Sequence, residues 1–208
     1  MSLKEPQGKE HQMIGTEHAS ANESEYYAYS YIGRTKWLKA HAMRNSKGEL
    51  IDEVEKVDDS MIVLQQDAGS VSKLGDCIHL IGGRLVSLFV VHKRVLSVLQ
   101  LYRLQKHAVI AQCRILDKRG KAIAQGNDYR VMHFSHDDRR ECADMSTEPI
   151  IRIYDTMPYE SWPFHRKLVP QLDFFQDVSG WIFSAALVER IQAEKFSNFA
   201  FDSVVFTD

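Results

Sequence analysis

Leu88-Phe89-Val90-Val91-His92-Lys93-Arg94-Val95-Leu96-Ser97-Val98-Leu99-Gln100-Leu101-Tyr102-Arg103-Leu104-Gln105, continued by Ala108 to Leu116, decides how this chain reads. Leu88 to Val91 is a short apolar run, as in a buried strand. From His92 to Gln105 the period changes. Val91, Val95, Val98, Leu99 and Tyr102 recur at helical spacing, while Lys93, Ser97, Gln100 and Arg103 occupy the other face, so one side of this helix needs a cover. Ala108 to Leu116 is rich in β-branched residues and reads as a strand again.

The same order returns near the carboxyl end. Trp181-Ile182-Phe183 reads as a strand, Ser184 to Glu194 as a helix and Phe199 to Phe206 as a closing strand. Val95 corresponds to Leu187, Leu99 to Ile191 and Gln100 to Gln192, each 92 positions apart. Ser184 suits an N-cap, and Leu187, Val188 and Ile191 form the buried stripe. Helices this short do not persist alone. The chain is therefore expected to be α+β, with a mixed or mainly antiparallel sheet. That sheet is built around two related strand-helix-strand units, about residues 84–116 and 178–206, with helices packed on it.

A chain of 208 residues that is 44% hydrophobic and 26% charged supports one sizeable core or two small lobes. Residues 1–25 lack apolar periodicity and the hydrophobic core of a signal peptide, so they read as a flexible tail before a domain spanning 26–208. A net charge of −2 argues against general nucleic-acid affinity. Cys77, Cys113 and Cys142 are odd in number without paired spacing, which favours a reducing cytoplasm over a disulfide framework. No apolar run reaches transmembrane length.

Further strands are expected at Tyr26 to Ile32, Met61 to Leu64, Tyr129 to Phe134 and Ile150 to Tyr154, with a turn at Asp117 to Lys121. Trp37 to Ala42 is open between helix and strand. Pro158, Pro163 and Pro170, with Trp162 and Phe164 among them, predict an ordered aromatic loop over the core. Glu49, Asp52, Glu53, Glu55, Asp58 and Asp59 make the most acidic stretch. It reads either as a recognition surface for a basic partner or, more commonly for such runs, as a solvated face.

Two residue groups have catalytic chemistry. Cys77 and His79 are next-but-one in an apolar segment, so a thiol and an imidazole could share a strand face, but no orienting carboxylate is identifiable. His133, His136 and Cys142 are zinc-type ligands lacking CxxC or HxxxH spacing. Packing is the commoner fate of both. Lys93, Arg94, Arg103, Lys106, Arg114, Lys118, Arg119 and Lys121 do not form one face and read as solvated surface rather than a nucleic-acid stripe. No cofactor motif is present in the sequence.

Three passages together resemble the Imm11 family, predicted immunity proteins of polymorphic toxin systems. They are Asn127-Asp128-Tyr129-Arg130-Val131-Met132-His133, the charged run Asp137 to Ser146, and Phe174-Phe175-Gln176-Asp177 leading into Trp181 to Ile191. The likeness covers about the last 130 residues. Family members commonly close the last helix with a glycine-containing turn; here Lys195-Phe196-Ser197-Asn198 stands there, with Asn198 as the left-handed residue. The resemblance implies a cytoplasmic protein that binds and neutralises a cognate toxin, with a nuclease as the candidate, by occlusion rather than by catalysis. A small hydrolase or metal enzyme using the groups above, and a peptide-binding scaffold module, are the alternatives. Self-association is left open.

Overall fold

The computed structural model describes residues 25–30, 38–44, 47, 61–69, 71, 73–80, 88–105, 109–134, 140–154, 157–177 and 180–208. The expected tail up to residue 24, the acidic stretch and His136 lie outside the described residues. Glu25 is already anchored, its carbonyl accepting from the Ala185 amide at 2.9 Å.

Six strands close into a barrel in the order β2 (Lys39–Arg44), β3 (Ile62–Gln66), β6 (Val109–Leu116), β7 (Tyr129–His133), β5 (Phe89–His92) and β4 (Cys77–Leu80). The ladders β3–β6 and β4–β2 are parallel and the other four antiparallel. The mixed character that the sequence predicts is therefore present. Leu38, Ala40, Ile62, Leu64, Ile78, Val90, Cys113, Ile115 and Val131 fill the barrel. Strand alternation then sends Cys77, Phe89, Val91 and Met132 outward into a second core.

That second core joins the barrel to an antiparallel sheet ordered β11 (Phe174–Asp177), β12 (Gly180–Ser184), β1 (Tyr26–Tyr29) and β13 (Phe201–Ser203). Phe89 is its hub, with ring centroids of Trp181, Phe174, Tyr29 and Phe183 at 5.2, 5.4, 5.7 and 5.8 Å. Truncating such a buried ring to Ala costs about 3–5 kcal/mol. Both helices, α1 (Lys93–Leu99) and α2 (Ala185–Ala193), bury their stripes in this core through Val95, Leu99, Leu187, Val188 and Ile191. The opposite face of the sheet is covered by residues around β10 (Phe164–His165) and β14 (Phe206–Thr207), with Cys142, Phe175, Ile182 and Val204 between.

Each helix follows its strand without a break. His92 caps α1, its side chain accepting from the Arg94 amide. Ser184 caps α2 as expected, accepting from the Leu187 amide at 3.3 Å. The flanking strands, however, lie in different sheets: β5 and β6 in the barrel, β12 and β13 in the open sheet. In neither case do the two strands pair with one another, since β7 separates the first two and β1 the second two.

Several expectations are corrected. The first helix ends at Leu99 instead of reaching Gln105, because Leu104 bridges Phe174 and Gln105 donates its amide to the Phe174 carbonyl. The closing strand is broken into β13 and β14, with Val204 buried at the break. Trp37 to Ala42 resolves as strand from Lys39 onward. Pro158 lies within β9 (Met157–Ser161), opposite Ile153 of β8 (Ile150–Tyr154), rather than in a loop. A two-stranded hairpin has only edge strands, where proline is tolerated. Helix α2 closes with Lys195 at φ 54°; Lys195 and Phe196 donate their amides to the Gln192 and Ile191 carbonyls, the Schellman arrangement. Asn198 is left-handed as expected, at φ 65°, but is the second such residue rather than the helix-closing one.

Candidate functional site

Strand register brings three segments to one end of the barrel. His92 pairs with Tyr129 at the end of β5, and the His92 amide donates to the Asp76 carbonyl just before β4. The turn after α2 then lays Ser197 against Asp76. Between these segments lies an open cleft of about 550 Å³, lined by Leu74, Gly75, Asp76, His92, Arg94, Ile123, Gln125, Tyr129 and Ser197.

Asp76 organises the cleft wall. Its carboxylate accepts a forked pair from Arg94, Nε at 2.5 Å and Nη2 at 2.6 Å, and two further bonds from Ser197, the amide at 2.8 Å and the hydroxyl at 2.7 Å. Burial opposes its ionisation, but the bonds from Arg94 and Ser197 outweigh burial and hold the carboxyl below its usual range. The Arg94 guanidinium also packs over the Phe196 ring, 5.1 Å from its centroid. Tyr129 is anchored too, its hydroxyl donating to the Gly75 carbonyl at 2.5 Å, and desolvation raises its pKa. The ring meets His92 edge-on at 5.2 Å.

His92 Nδ1 accepts from the Arg94 amide at 3.2 Å, so the neutral ring carries its proton on Nε2, which faces Asp128 at 4.0 Å. Burial lowers the His92 pKa despite Asp128. Lys93 bonds Asp128 at 2.8 Å, and Arg103 bonds Asp173 at 3.1 Å. Three of the basic residues thus pair with Asp76, Asp128 and Asp173, none of which belongs to the acidic stretch.

Cys77, His79, His133 and Cys142 do not line the cleft. Cys77 is buried in the core between barrel and sheet, 3.4 Å from the Tyr29 hydroxyl, and desolvation pushes its thiol up to about 12. His79, half-buried beside Lys39, is pushed down to about 4 by burial. Both shifts favour the neutral forms of the thiol and the imidazole. His133 is buried on β7. Cys142 lies on the far side of the open sheet, where its thiol donates to the Leu168 carbonyl at 3.4 Å and is pushed up to about 12 by burial. Among the described residues no group of three or more His, Cys, Asp or Glu side chains has metal-binding geometry. The Asp76–Arg94–Ser197 constellation escaped sequence reasoning, because residues 76 and 197 are 121 positions apart and share no motif.

In comparison with known proteins, no family model matches the chain and no curated protein matches it.

Proposed function

We propose that the protein is an immunity protein of the Imm11 kind, made in the cytoplasm, which binds a cognate bacterial toxin and holds it inactive by covering it. The observation carrying this reading is the β2–β3 ladder. Arg44 faces Val63, so the chain leaves and re-enters a closed barrel on adjacent strands, and the intervening sequence contains Glu49, Asp52, Glu53, Glu55, Asp58 and Asp59. An acidic sequence joining two paired barrel strands suits the basic substrate groove of a nuclease, because complementary charge accelerates encounter and fixes orientation. The burial of the thiols of Cys77, Cys113 and Cys142 is in keeping with a binding protein. The strand-helix-strand order around α1 and around α2 is read as a duplicated framework supplying that rigid body.

Co-purification with the product of the neighbouring gene tests the reading, with an equimolar complex expected. Neutralising Glu53, Glu55, Asp58 and Asp59 should slow association by about tenfold at low salt and by much less at high salt. Association kinetics indifferent to both salt and these substitutions would remove the acidic stretch from the interface. A mixture of short peptides in place of one equimolar protein would favour a scaffold module instead.

A further inference from the structure

We propose that the cleft at the barrel end binds a small carboxylic acid, its carboxylate taken by the free edge of Arg94 and by Gln125, its apolar body lying against Leu74 and Ile123. The inference is independent of the toxin-binding reading.

The chemistry follows from how Asp76 uses Arg94. A guanidinium has two edges able to hold a carboxylate in a fork, the Nε/Nη2 edge and the Nη1/Nη2 edge. Asp76 occupies the first. Nη1 engages no acceptor among the described residues, and the Arg94 side chain is 55% exposed at the cleft. Asp76 is already committed through both oxygens, Oδ1 accepting from Nε and Oδ2 from Nη2, the Ser197 amide and the Ser197 hydroxyl. It therefore acts as an internal clamp. With Phe196 stacked beneath the guanidinium, it fixes the open edge before any ligand arrives, which reduces the ordering cost of binding.

The remaining lining selects for an acceptor-rich ligand. Gln125 is exposed, lines the cleft and has no side-chain hydrogen-bond partner among the described residues, so its amide can donate to the second carboxylate oxygen. The hydroxyls of Tyr129 and Ser197 already donate to Gly75 and Asp76, so they do not compete for the anion. Leu74 and Ile123 supply the apolar contact, both packed against the barrel core. Pockets at barrel mouths with an apolar wall and a few convergent polar groups are common ligand sites. Because Asp76 offsets the charge of Arg94, affinity is expected in the millimolar range, about what one shared guanidinium and a small apolar contact provide.

The test uses the full-length, nitrogen-15-labelled protein titrated with sodium benzoate, with benzamide as the neutral isostere and benzamidine as the cation of the same shape. Saturable shifts of the Gly75, Asp76, Arg94 and Gln125 amides are expected with benzoate. Benzamide should bind at least tenfold more weakly and benzamidine not at all. Gln125→Glu places a like charge on the lip and should weaken benzoate by about tenfold while leaving distant resonances in place. Arg94→Lys retains a cation for Asp76 but removes the second fork and should lose binding similarly; its spectrum reports whether the fold survives. N-acetylphenylalanine, binding more tightly than benzoate, would identify a peptide carboxyl terminus as the natural source; the reverse order identifies a free acid. Absence of saturation by about 20 mM, equal binding of benzoate and benzamide, or a Gln125→Glu variant that binds benzoate unchanged would each overturn the proposal.

Discussion

Asp76 and Ser197, 121 residues apart, exchange three hydrogen bonds: the Asp76 amide donates to the Ser197 hydroxyl at 3.0 Å, and the Ser197 amide and hydroxyl both donate to the Asp76 carboxylate. With Arg94 they tie the start of β4, the first turn of α1 and the turn after α2 into one polar joint.

Asp76→Asn keeps the shape of this joint but removes the charge that Arg94 faces and replaces an acceptor with a donor. Losing one partner of a largely buried, charge-assisted set costs about 2–4 kcal/mol. The urea midpoint should fall while the slope stays constant, and Arg94→Lys should fall by less because a cation remains.

Acidification should destabilise the protein in two stages. His79 has its folded pKa depressed to about 4 by burial and Lys39, so stability is full above the unfolded histidine value of about 6.5 and drains between there and about 4. The carboxyls of Asp76 and Asp173 are depressed by Arg94 and Ser197, and by Arg103 and Ser184, against the opposing effect of burial. Their contributions are present above the unfolded aspartate value of about 4 and are lost as pH falls through the lower folded values. Melting temperature followed from pH 7 to pH 2 should show both stages. His79→Gln should flatten the first and Asp76→Asn the second.

Gly126 sits where a side chain has no room. A Cβ there would come 2.8 Å from both the Cβ and the backbone nitrogen of Ile115, inside the barrel wall. Gly126→Ala must displace β6 or the short 3-10 turn at Ala124–Asp128, at a cost of about 1–3 kcal/mol by the usual penalty for overpacking. Thermal unfolding against the neutral control Gly120→Asn, at an exposed turn with φ 79°, would separate crowding from conformational effects.

Cys113, Cys77 and Cys142 lie respectively in the barrel interior, the shared core and the outer layer, so none can reach another. Desolvation raises all three thiol pKa values, those of Cys77 and Cys142 to about 12. Ellman titration at pH 8 should find no fast-reacting thiol in the native protein and three after denaturation.

Local pattern was sufficient for elements whose neighbours are near in sequence. Tyr129 to His133 and Ile150 to Tyr154 lie where alternation places them, and Gly120 makes its turn, its amide donating to the Asp117 carbonyl at 2.9 Å. Ser184 was identifiable because capping chemistry is local. Failures came where a distant segment decided the outcome. Tyr102 continues the helical spacing of α1, yet the edge of β11 captures Leu104 and Gln105. Closure of the barrel depends on the parallel ladders of β3 with β6 and of β4 with β2, which no turn motif announces. The cleft stayed hidden because Asp76, Arg94 and Ser197 meet only after both sheets have formed.

The placement of β1 bears on how the molecule is made. Tyr27 sits between Phe183 and Ser203, in the middle of a sheet whose other strands come from Phe174 onward and so leave the ribosome long after it. Barrel strands up to Tyr129–His133 emerge earlier and can begin to pair during translation, whereas β1 must wait until both its partners, Gly180–Ser184 and Phe201–Ser203, have been synthesised. Until then the outward ring of Phe89 has no sheet to cover it, and premature termination before Phe174 would leave that surface without the Phe174, Trp181 and Phe183 rings, bare for chaperones or proteases.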